Sequence, residues 1–244
     1  MTKSVAVAMI VTSHASMGNG EVTGVWFEEV TAPYYAFLGK AARVEIFSIK
    51  GGAVPIDPRS RLERGKNPAS VERFMDDAEA MQKLEHSRPI TSLDVSDYDV
   101  LFMPGGHGTM WDFPGNPDVS KRISKAWIDG KVVAAVCHGP AALVGPVDDR
   151  GKPLVAGRRV SAFTDSEERA VGLDKTVPFM LETRLRELGA RFEVGPDFMP
   201  FAVRDGRLVT GQNPMSSEKV AHLVMETVGE KSFSTAAPRV GAER

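Results

Sequence analysis

The stretch Lys131-Val-Val-Ala-Ala-Val-Cys-His-Gly-Pro-Ala-Ala-Leu143 decides how this chain folds. Its first half is a β-branched apolar run, which is typical of a buried strand. The run stops at Cys137-His138-Gly139, and Pro140 follows where a helix tolerates proline as its first residue. The stretch therefore predicts a strand, a sharp turn and a helix, with a cysteine at the turn.

A cysteine at such a turn is well placed for nucleophilic chemistry. A strained strand-to-helix turn lifts a nucleophile out of the sheet into a cleft. The start of the following helix favours the thiolate over the thiol, because the helix dipole is positive there. His138 is a neighbouring proton partner. The alternative is a buried structural cysteine, since free cysteines are among the most buried residues. The turn and the Gly139 that follows favour the nucleophile.

The composition excludes several classes of protein. The 244 residues carry a net charge of −2, so there is no electrostatic case for a nucleic-acid partner or an anionic membrane. Cys137 is the only cysteine, which excludes an internal disulfide and fits a reducing cytosol. The apolar run at residues 5–11 is too short to span a bilayer and lacks a cleavage pattern, so it predicts a first strand in a cytoplasmic protein.

Further apolar runs predict strands, namely at residues 5–11, 44–49, 98–103 and 158–163. Helical patterns between them indicate an α/β fold with a doubly wound, mostly parallel sheet, whose strand-end loops form the ligand crevice. Residues 1–231 are interpreted as a single domain, with residues 51–93 as an inserted segment or lid. The charged run at residues 59–66 is interpreted as a solvated face, and residues 232–244 as a mobile tail.

Helical spacing singles out one glutamate in the helix predicted over residues 24–38. Glu29 shares a face with the apolar residues of that helix, whereas Glu28 points to a more polar side. A carboxyl group on a core-facing stripe is costly to bury in its ionised form, so the pKa of Glu29 is expected to rise. The alternative is an ion-paired surface residue, and this stretch alone does not separate the two.

Two other strand ends carry polar loops. Gly105 and Gly106 follow the strand at residues 98–103, and adjacent glycines expose backbone N–H groups that bind an oxyanion. The alternative is a tight structural turn, and His107 either lines the same cleft or is an uninvolved loop residue.

Acidic residues follow the strand at residues 158–163, where a carboxylate would orient His138. Asp165 and Glu168 are the candidates. The alternative is a helix start capped by Thr164 or Asp165, with Glu167 in the first turn.

Other chemistries lack a signature in this sequence. No Cys/His cluster has zinc spacing and no glycine-rich phosphate loop is present, so neither a metal nor a nucleotide cofactor is expected. A glutamine-hydrolysing triad needs a distant histidine followed two residues later by a carboxylate. The only candidate is His222, and Val224 stands where the carboxylate should be.

The chain also carries five spaced motifs, namely Thr23-Gly24-Val-Trp-Phe-Glu-Glu29, Pro104-Gly-Gly-His-Gly-Thr-Met-Trp-Asp112, Ala135-Val-Cys-His-Gly-Pro140, Phe163-Thr-Asp-Ser-Glu-Glu168 and Thr210-Gly-Gln-Asn-Pro214. Together they resemble the DJ-1/PfpI superfamily, and within it the Hsp31-like branch of glutathione-independent glyoxalases. The resemblance implies a flavodoxin-like α/β sandwich, usually a homodimer. It implies that Cys137 is the nucleophile, His138 its partner and Glu29 the acid that hydrogen-bonds the cysteine. Asp165 or Glu168 completes the triad, with Asp165 slightly favoured.

The resemblance implies an activity as well. The expected reaction converts methylglyoxal or glyoxal to lactate or glycolate through a hemithioacetal on Cys137, with backbone N–H groups near Gly105, Gly106 and His138 binding the oxyanion. The expected partner is a small 2-oxoaldehyde, with no cofactor, nucleic acid or membrane. The alternatives are a stress-related holding chaperone and a cysteine hydrolase, either a deglycase or a peptidase. The His/Glu metal site of some bacterial chaperone members has no match here.

Overall fold

In the computed structural model of the protein, which describes residues 4–40 and 42–236, the apolar run before Cys137 forms a buried central strand, as its composition predicts. The strands are β1 (Ala6–Val11), β2 (Arg43–Ser48), β3 (Arg88–Pro89), β4 (Val100–Met103), β5 (Val132–Val136), β6 (Arg159–Val160), β7 (Arg191–Phe192), β8 (Ala202–Asp205) and β9 (Leu208–Gly211). The helices are α1 (Phe27–Leu38), α2 (Ala69–Asp76), α3 (Ala78–Glu85), α4 (Thr109–Asp112), α5 (Pro117–Ile128), α6 (Asp165–Ala170), α7 (Leu181–Glu187) and α8 (Ser217–Ala236).

Seven of the described strands form one sheet in the order β3-β2-β1-β4-β5-β9-β8. Neighbouring strands are parallel except β8 and β9, which pair antiparallel at one edge. The doubly wound, mostly parallel α/β sheet is therefore confirmed. The strand predicted at residues 158–163 is reduced to β6, which pairs with β7 outside this sheet.

Helices cover both faces of the sheet because its strand residues alternate between two apolar clusters. Val7 and Met9 of β1 face the side on which α1, α2, α3 and α8 pack. Ala8 and Ile10 face the other side, which α5 and α7 cover. The carboxyl ends of β4, β5 and β9 consequently meet at one edge, where a doubly wound sheet binds its ligands.

The helix predicted after Cys137 is shorter than expected. Residues Gly139–Leu143 form a single 3-10 helix rather than an α-helix. So short an element has only a small cumulative dipole. The expectation that a helix dipole stabilises the Cys137 thiolate therefore loses most of its support.

The segment predicted as an insertion or lid, residues 51–93, contributes β3 to the edge of the sheet and packs α2 and α3 on the side that α1 covers. It holds two helices where the spacing predicts one over residues 70–86. The break lies at Asp77, whose backbone is extended and whose side chain accepts a hydrogen bond from the Ala80 N–H to cap α3.

The last helix is longer than the sequence pattern predicts. α8 continues to Ala236, so residues 232–236 of the predicted tail are helical, and residues 237–244 lie outside the described residues. No helix in the described part of the chain is long and apolar enough to cross a membrane.

Candidate active site

Cys137 lies in a strained turn at the end of β5. Its φ angle is 59°, in the left-handed region that non-glycine residues rarely adopt and that costs about 1–2 kcal/mol. The turn is held on both sides, because the Cys137 N–H donates to the Gly211 carbonyl at 3.0 Å and its carbonyl accepts from the Phe163 N–H at 2.8 Å. The geometry is that of the nucleophile turn that the sequence predicts.

The structure brings Cys137, His138 and Glu168 together in a hydrogen-bonded line. His138 Nδ1 lies 3.3 Å from Cys137 Sγ, and His138 Nε2 lies 2.7 Å from Glu168 Oε2. Because the carboxylate accepts a hydrogen bond from the Nε2–H group, the lone pair of Nδ1 faces the sulfur. All three side chains are buried. The line can therefore move a proton from the thiol to the imidazole.

Glu168, and not Asp165, completes this line, so the preference for Asp165 is wrong. Both residues lie on α6, but Glu168 is buried against the sheet edge while Asp165 turns toward α7. The Asp165 carboxylate accepts hydrogen bonds from the Thr183 hydroxyl at 2.6 Å and the Thr183 N–H at 3.4 Å. The capping box between Thr164 and Glu167, which was the alternative for this segment, is present as well.

His107 is part of the site rather than an uninvolved loop residue. Its Nε2 lies 2.8 Å from Glu168 Oε1, so one carboxylate accepts from two histidines whose ring centres are 4.1 Å apart. Burial disfavours ionisation of Glu168, but the charge and hydrogen bonds of His138 and His107 outweigh it and hold the pKa of that carboxyl well below its usual range. Glu168 is therefore a carboxylate throughout the neutral pH range.

Arg59 fixes the state of His107. The Arg59 Nη2 group donates to His107 Nδ1 at 3.1 Å, so His107 carries its proton on Nε2. Burial and the neighbouring His138 lower the pKa of His107 to about 4, which keeps the ring neutral. Arg59 is held in turn by two hydrogen bonds to the buried Asp57, from Nε at 2.9 Å and from Nη2 at 2.6 Å. Arg59, the first residue of the charged run that is interpreted as a solvated face, has a side chain that is 38% exposed and also contacts His107.

The backbone N–H of Gly105 binds Glu29 and is not free to bind an oxyanion. The Gly105 N–H donates to Glu29 Oε2 at 2.7 Å, so the expectation that it binds an oxyanion is wrong. A Cβ atom on Gly105 would lie 2.5 Å from the backbone nitrogen of His138. Glycine is therefore required for the loop after β4 to approach the turn at Cys137 and His138. The N–H groups of Gly106 and His138 are the remaining candidates from the sequence, and both residues line the cavity described below.

Glu29 is fully buried, so of the two alternatives for this residue the core-facing position is correct and the ion-paired surface position is wrong. Its Oε1 atom has no hydrogen-bond partner among the described residues, and the carboxyl group interacts with the Cys137 thiol. Burial raises the pKa of Glu29 to about 8, so the group carries a proton at neutral pH. Burial also raises the pKa of the Cys137 thiol, and an ionised Glu29 would raise it further. The thiol consequently needs His138 as a base.

The titration of Glu29 has an expected effect on stability. The folded protein keeps a proton that the unfolded chain releases above pH 4.5, so stability falls as the pH rises from there to about 8. Glu29→Gln does not titrate. Relative to this variant, the folding equilibrium constant of the wild-type protein should fall about tenfold per pH unit in that window. Urea unfolding of both proteins across this pH range measures the difference, and parallel curves would contradict the raised pKa.

Cys137 opens into a cavity of ≈ 280 Å³. The residues that line it are Trp26, Arg59, Gly106, His107, Cys137, His138, Phe163, Val171, Phe198, Pro214 and Met215. Besides Cys137, His138 and His107, most of the lining residues are apolar. An apolar lining lowers the local dielectric and so strengthens electrostatic interactions around the sulfur.

His107, His138 and Glu168 also form the one cluster of the described residues with metal-ligand character. Their ligand atoms lie within 4.8 Å of one another, and two histidines with a carboxylate suit a transition metal. Both histidine nitrogens already donate to Glu168, however, so a metal would have to displace these protons. The hydrogen bonds thus account for the cluster as it stands.

Four residues in or next to the site are not predicted from the sequence, namely Asp57, Arg59, Phe198 and Met215. Asp57 had a usable signal, because an acidic residue before Pro58 is a typical helix cap, and its side chain does accept from the Arg59 N–H. The apolar wall had no such signal, since Phe198 lies in a turn and Met215 in a 3-10 helix of three residues, Pro214–Ser216, which are too short for a periodic pattern. His222, the rejected triad candidate, lies on α8 and borders a different groove.

Comparisons with known proteins identify relatives of this chain in sequence and in structure. The sequence model of the DJ-1/PfpI family matches residues 28–227. The chain is 31% identical to the glutathione-independent glyoxalase HSP31 of Saccharomyces cerevisiae over 227 residues, covering 90% of this chain and 95% of that protein. The structure is similar to glyoxalase III from Candida albicans, with a TM-score of 0.83, 30% identity and coverage of 91% of this chain and 97% of that one. It is also similar to the Rapid Encystment Protein 24 kDa of Francisella tularensis, with a TM-score of 0.87, 34% identity and coverage of 92% and 99%.

Proposed function

Because the chain belongs to the DJ-1/PfpI family, we propose that it is a glutathione-independent glyoxalase in which Cys137 is the nucleophile. The observation that carries the proposal is the line from Cys137 through His138 to Glu168, next to a protonated Glu29. A nucleophile, a base with a fixed orientation and a separate acid are the groups that isomerisation of a 2-oxoaldehyde requires.

The first step is addition of the sulfur to the aldehyde. Cys137 Sγ forms a bond to C1 of methylglyoxal while His138 Nδ1 accepts the thiol proton, which the 3.3 Å separation supports. Negative charge develops on the C1 oxygen, where the N–H groups of Gly106 and His138 would stabilise it. His138 then returns the proton to this oxygen, giving a hemithioacetal and a neutral imidazole.

The second step moves hydrogen from C1 to C2. His138 accepts the C1 proton while Glu29 donates its proton to the C2 oxygen, giving an enediol bound to sulfur. The C1 hydroxyl then returns a proton to Glu29, and His138 delivers one to C2, which leaves a thioester of lactate on Cys137. This exchange needs Glu29 in its protonated form, as its raised pKa supplies at neutral pH.

The last step is hydrolysis. Water adds to the thioester carbonyl with His138 as base, and the carbon–sulfur bond breaks to release lactate and the thiol. Methylglyoxal and one water thus give lactate, and glyoxal and one water give glycolate. No external thiol enters the balance, because Cys137 takes the place that glutathione would fill.

Purified protein with methylglyoxal and no glutathione tests the proposal. We expect substrate loss and equal formation of lactate by NMR over many turnovers. Added glutathione is the control, and it should not increase the rate at which the protein makes lactate. Absence of lactate from the wild-type protein would overturn the proposal and leave the chaperone and hydrolase alternatives to be tested.

A further inference from the structure

The cavity has an apolar wall that the proposed chemistry does not use. Phe198, Val171 and Met215 line it with side chains that are 40%, 42% and 51% exposed. Phe163 lies behind them, 4.4 Å from the His138 ring centre and 6.3 Å from that of Phe198. Apolar side chains that stay exposed around a pocket gain free energy when a ligand covers them. The apolar wall is therefore a suitable binding surface for an apolar group of a ligand.

The backbone conformation of Phe198 indicates that surrounding residues hold this wall in a fixed position. Its φ angle is 56°, so Phe198 and Cys137 are the two non-glycine residues in the left-handed region among the described residues. A bulky residue keeps this conformation only where its surroundings hold it. Here the Phe198 N–H donates to Glu167 Oε1 at 2.7 Å.

Glu167 connects the loops on both sides of the wall. Besides the Phe198 N–H, its Oε1 accepts from Gln212 Nε2 at 3.1 Å and Asn213 Nδ2 at 2.8 Å, directly before Pro214 and Met215. Its Oε2 accepts from the Thr164 N–H at 3.1 Å and the Thr164 hydroxyl at 3.2 Å. A fully buried carboxylate is costly, and these donors are what makes it tolerable. One carboxylate thus holds Phe198 and Met215 relative to α6.

The size of the cavity agrees with a larger occupant than methylglyoxal. Its ≈ 280 Å³ is close to the lower limit, about 300 Å³, of pockets that enclose drug-sized ligands. A three-carbon substrate at Cys137 would leave the wall uncovered.

We propose that the site selects 2-oxoaldehydes with a large apolar substituent, such as an aryl group, and that Glu167 is the positioning residue for the wall that contacts it. This specificity rests on the proposed glyoxalase function. The substituent would lie between Phe198 and Met215 while the aldehyde carbon lies at Cys137. Arg59, on the same cavity, keeps its charge paired with Asp57 and leaves the wall apolar.

Kinetics with phenylglyoxal and glyoxal test the specificity. We expect kcat/KM of the wild-type protein to be at least about tenfold higher for phenylglyoxal, since each buried carbon adds affinity. Phe198→Ala and Glu167→Gln should each lower the ratio of the two kcat/KM values by about tenfold, mainly through KM for phenylglyoxal. Glutamine at 167 has only one accepting oxygen, and its N–H₂ group faces other donors.

Met199→Ala is the matched control, because Met199 is exposed next to Phe198 but does not line the cavity. Equal kcat/KM values in the wild-type protein, or ratios unchanged in both wall variants, would overturn the inference.

Alkylation of Cys137 tests the wall without turnover. Cys137 is the only cysteine, so the intact mass reports this site alone. The probes are 2-chloroacetophenone and chloroacetamide, which share a leaving group, with each rate divided by that of free N-acetylcysteine. We expect a preference for the aryl reagent in the wild-type protein and in Met199→Ala, and its loss in Phe198→Ala and Glu167→Gln.

If the wild-type protein keeps this preference but makes no lactate, the proposed function fails and the aryl-binding wall stands. No aryl preference together with turnover of methylglyoxal would overturn the wall alone.

Discussion

Cys137→Ala is expected to lower kcat for methylglyoxal by at least about 10³-fold, which in a standard assay is loss of activity. The sulfur forms the bond that holds the substrate through all later steps, and alanine has no atom to replace it. Without the sulfur no thioester can form, so the reaction would lose its covalent route. Lactate formation followed by NMR, with the wild-type protein in parallel, measures the effect.

The fold of this variant should remain. Alanine meets the same backbone restriction at φ 59° as cysteine, and only one buried sulfur atom is removed. The far-ultraviolet circular dichroism spectrum and the melting temperature are the controls. A folded Cys137→Ala protein that still makes lactate at a wild-type rate would show that Cys137 is not the nucleophile.

The second large effect is expected at Glu168. Glu168→Gln should lower kcat by about 10²–10⁴-fold, because an orienting carboxylate that becomes an amide no longer fixes the tautomer of its histidine. Two hydrogen bonds are affected together, since Glu168 accepts from both His138 and His107. KM should change much less, because Glu168 does not line the cavity.

Asp165→Asn is the matched control for this experiment. It makes the same chemical change three residues earlier on α6, where the carboxylate binds Thr183 and not His138. Its kcat should stay within about twofold of the wild-type value, as is usual for changes away from a site. A larger loss in Asp165→Asn than in Glu168→Gln would mean that the other carboxylate orients His138 during turnover.

Local sequence pattern is sufficient to predict the parts of the site that one element supplies. The strand and turn around Cys137 follow from the apolar run and the glycine and proline after it. Helical spacing places Glu29 on the apolar face of its helix and Glu28 on a more polar side, although it leaves the alternative of an ion-paired surface residue open. The family motifs then predict the fold, and three of them, at residues 104–112, 135–140 and 210–214, lie at the carboxyl ends of β4, β5 and β9.

The choice between Asp165 and Glu168 could not be predicted from the chain alone. Both follow the same strand, and which one faces His138 depends on where α6 begins and how it is rotated on the sheet. The same holds for the Gly105 N–H, which is satisfied by Glu29 from an element more than seventy residues earlier. Partners at such separations are set by packing, which local spacing does not report.

The role of Arg59 in the site could not be predicted from local sequence either. In the sequence it begins a charged run, and most charged runs are solvated. Only the position of Asp57 beneath it and of His107 beside it turns it inward. The apolar wall could not be predicted either, since the position of Phe198 depends on a hydrogen bond to Glu167 of α6, 31 residues earlier in the chain.

The left-handed backbone at Cys137 also bears on how this protein can evolve. Glycine adopts such torsion angles without steric cost, and asparagine does so more easily than most residues. A mutation to either would relax the turn, and a lineage selected for thermal robustness alone would tend to accumulate it. Each such step removes the only thiol of the chain. Persistence of a cysteine here is therefore expected only in lineages where selection for its chemistry outweighs selection for a more stable turn.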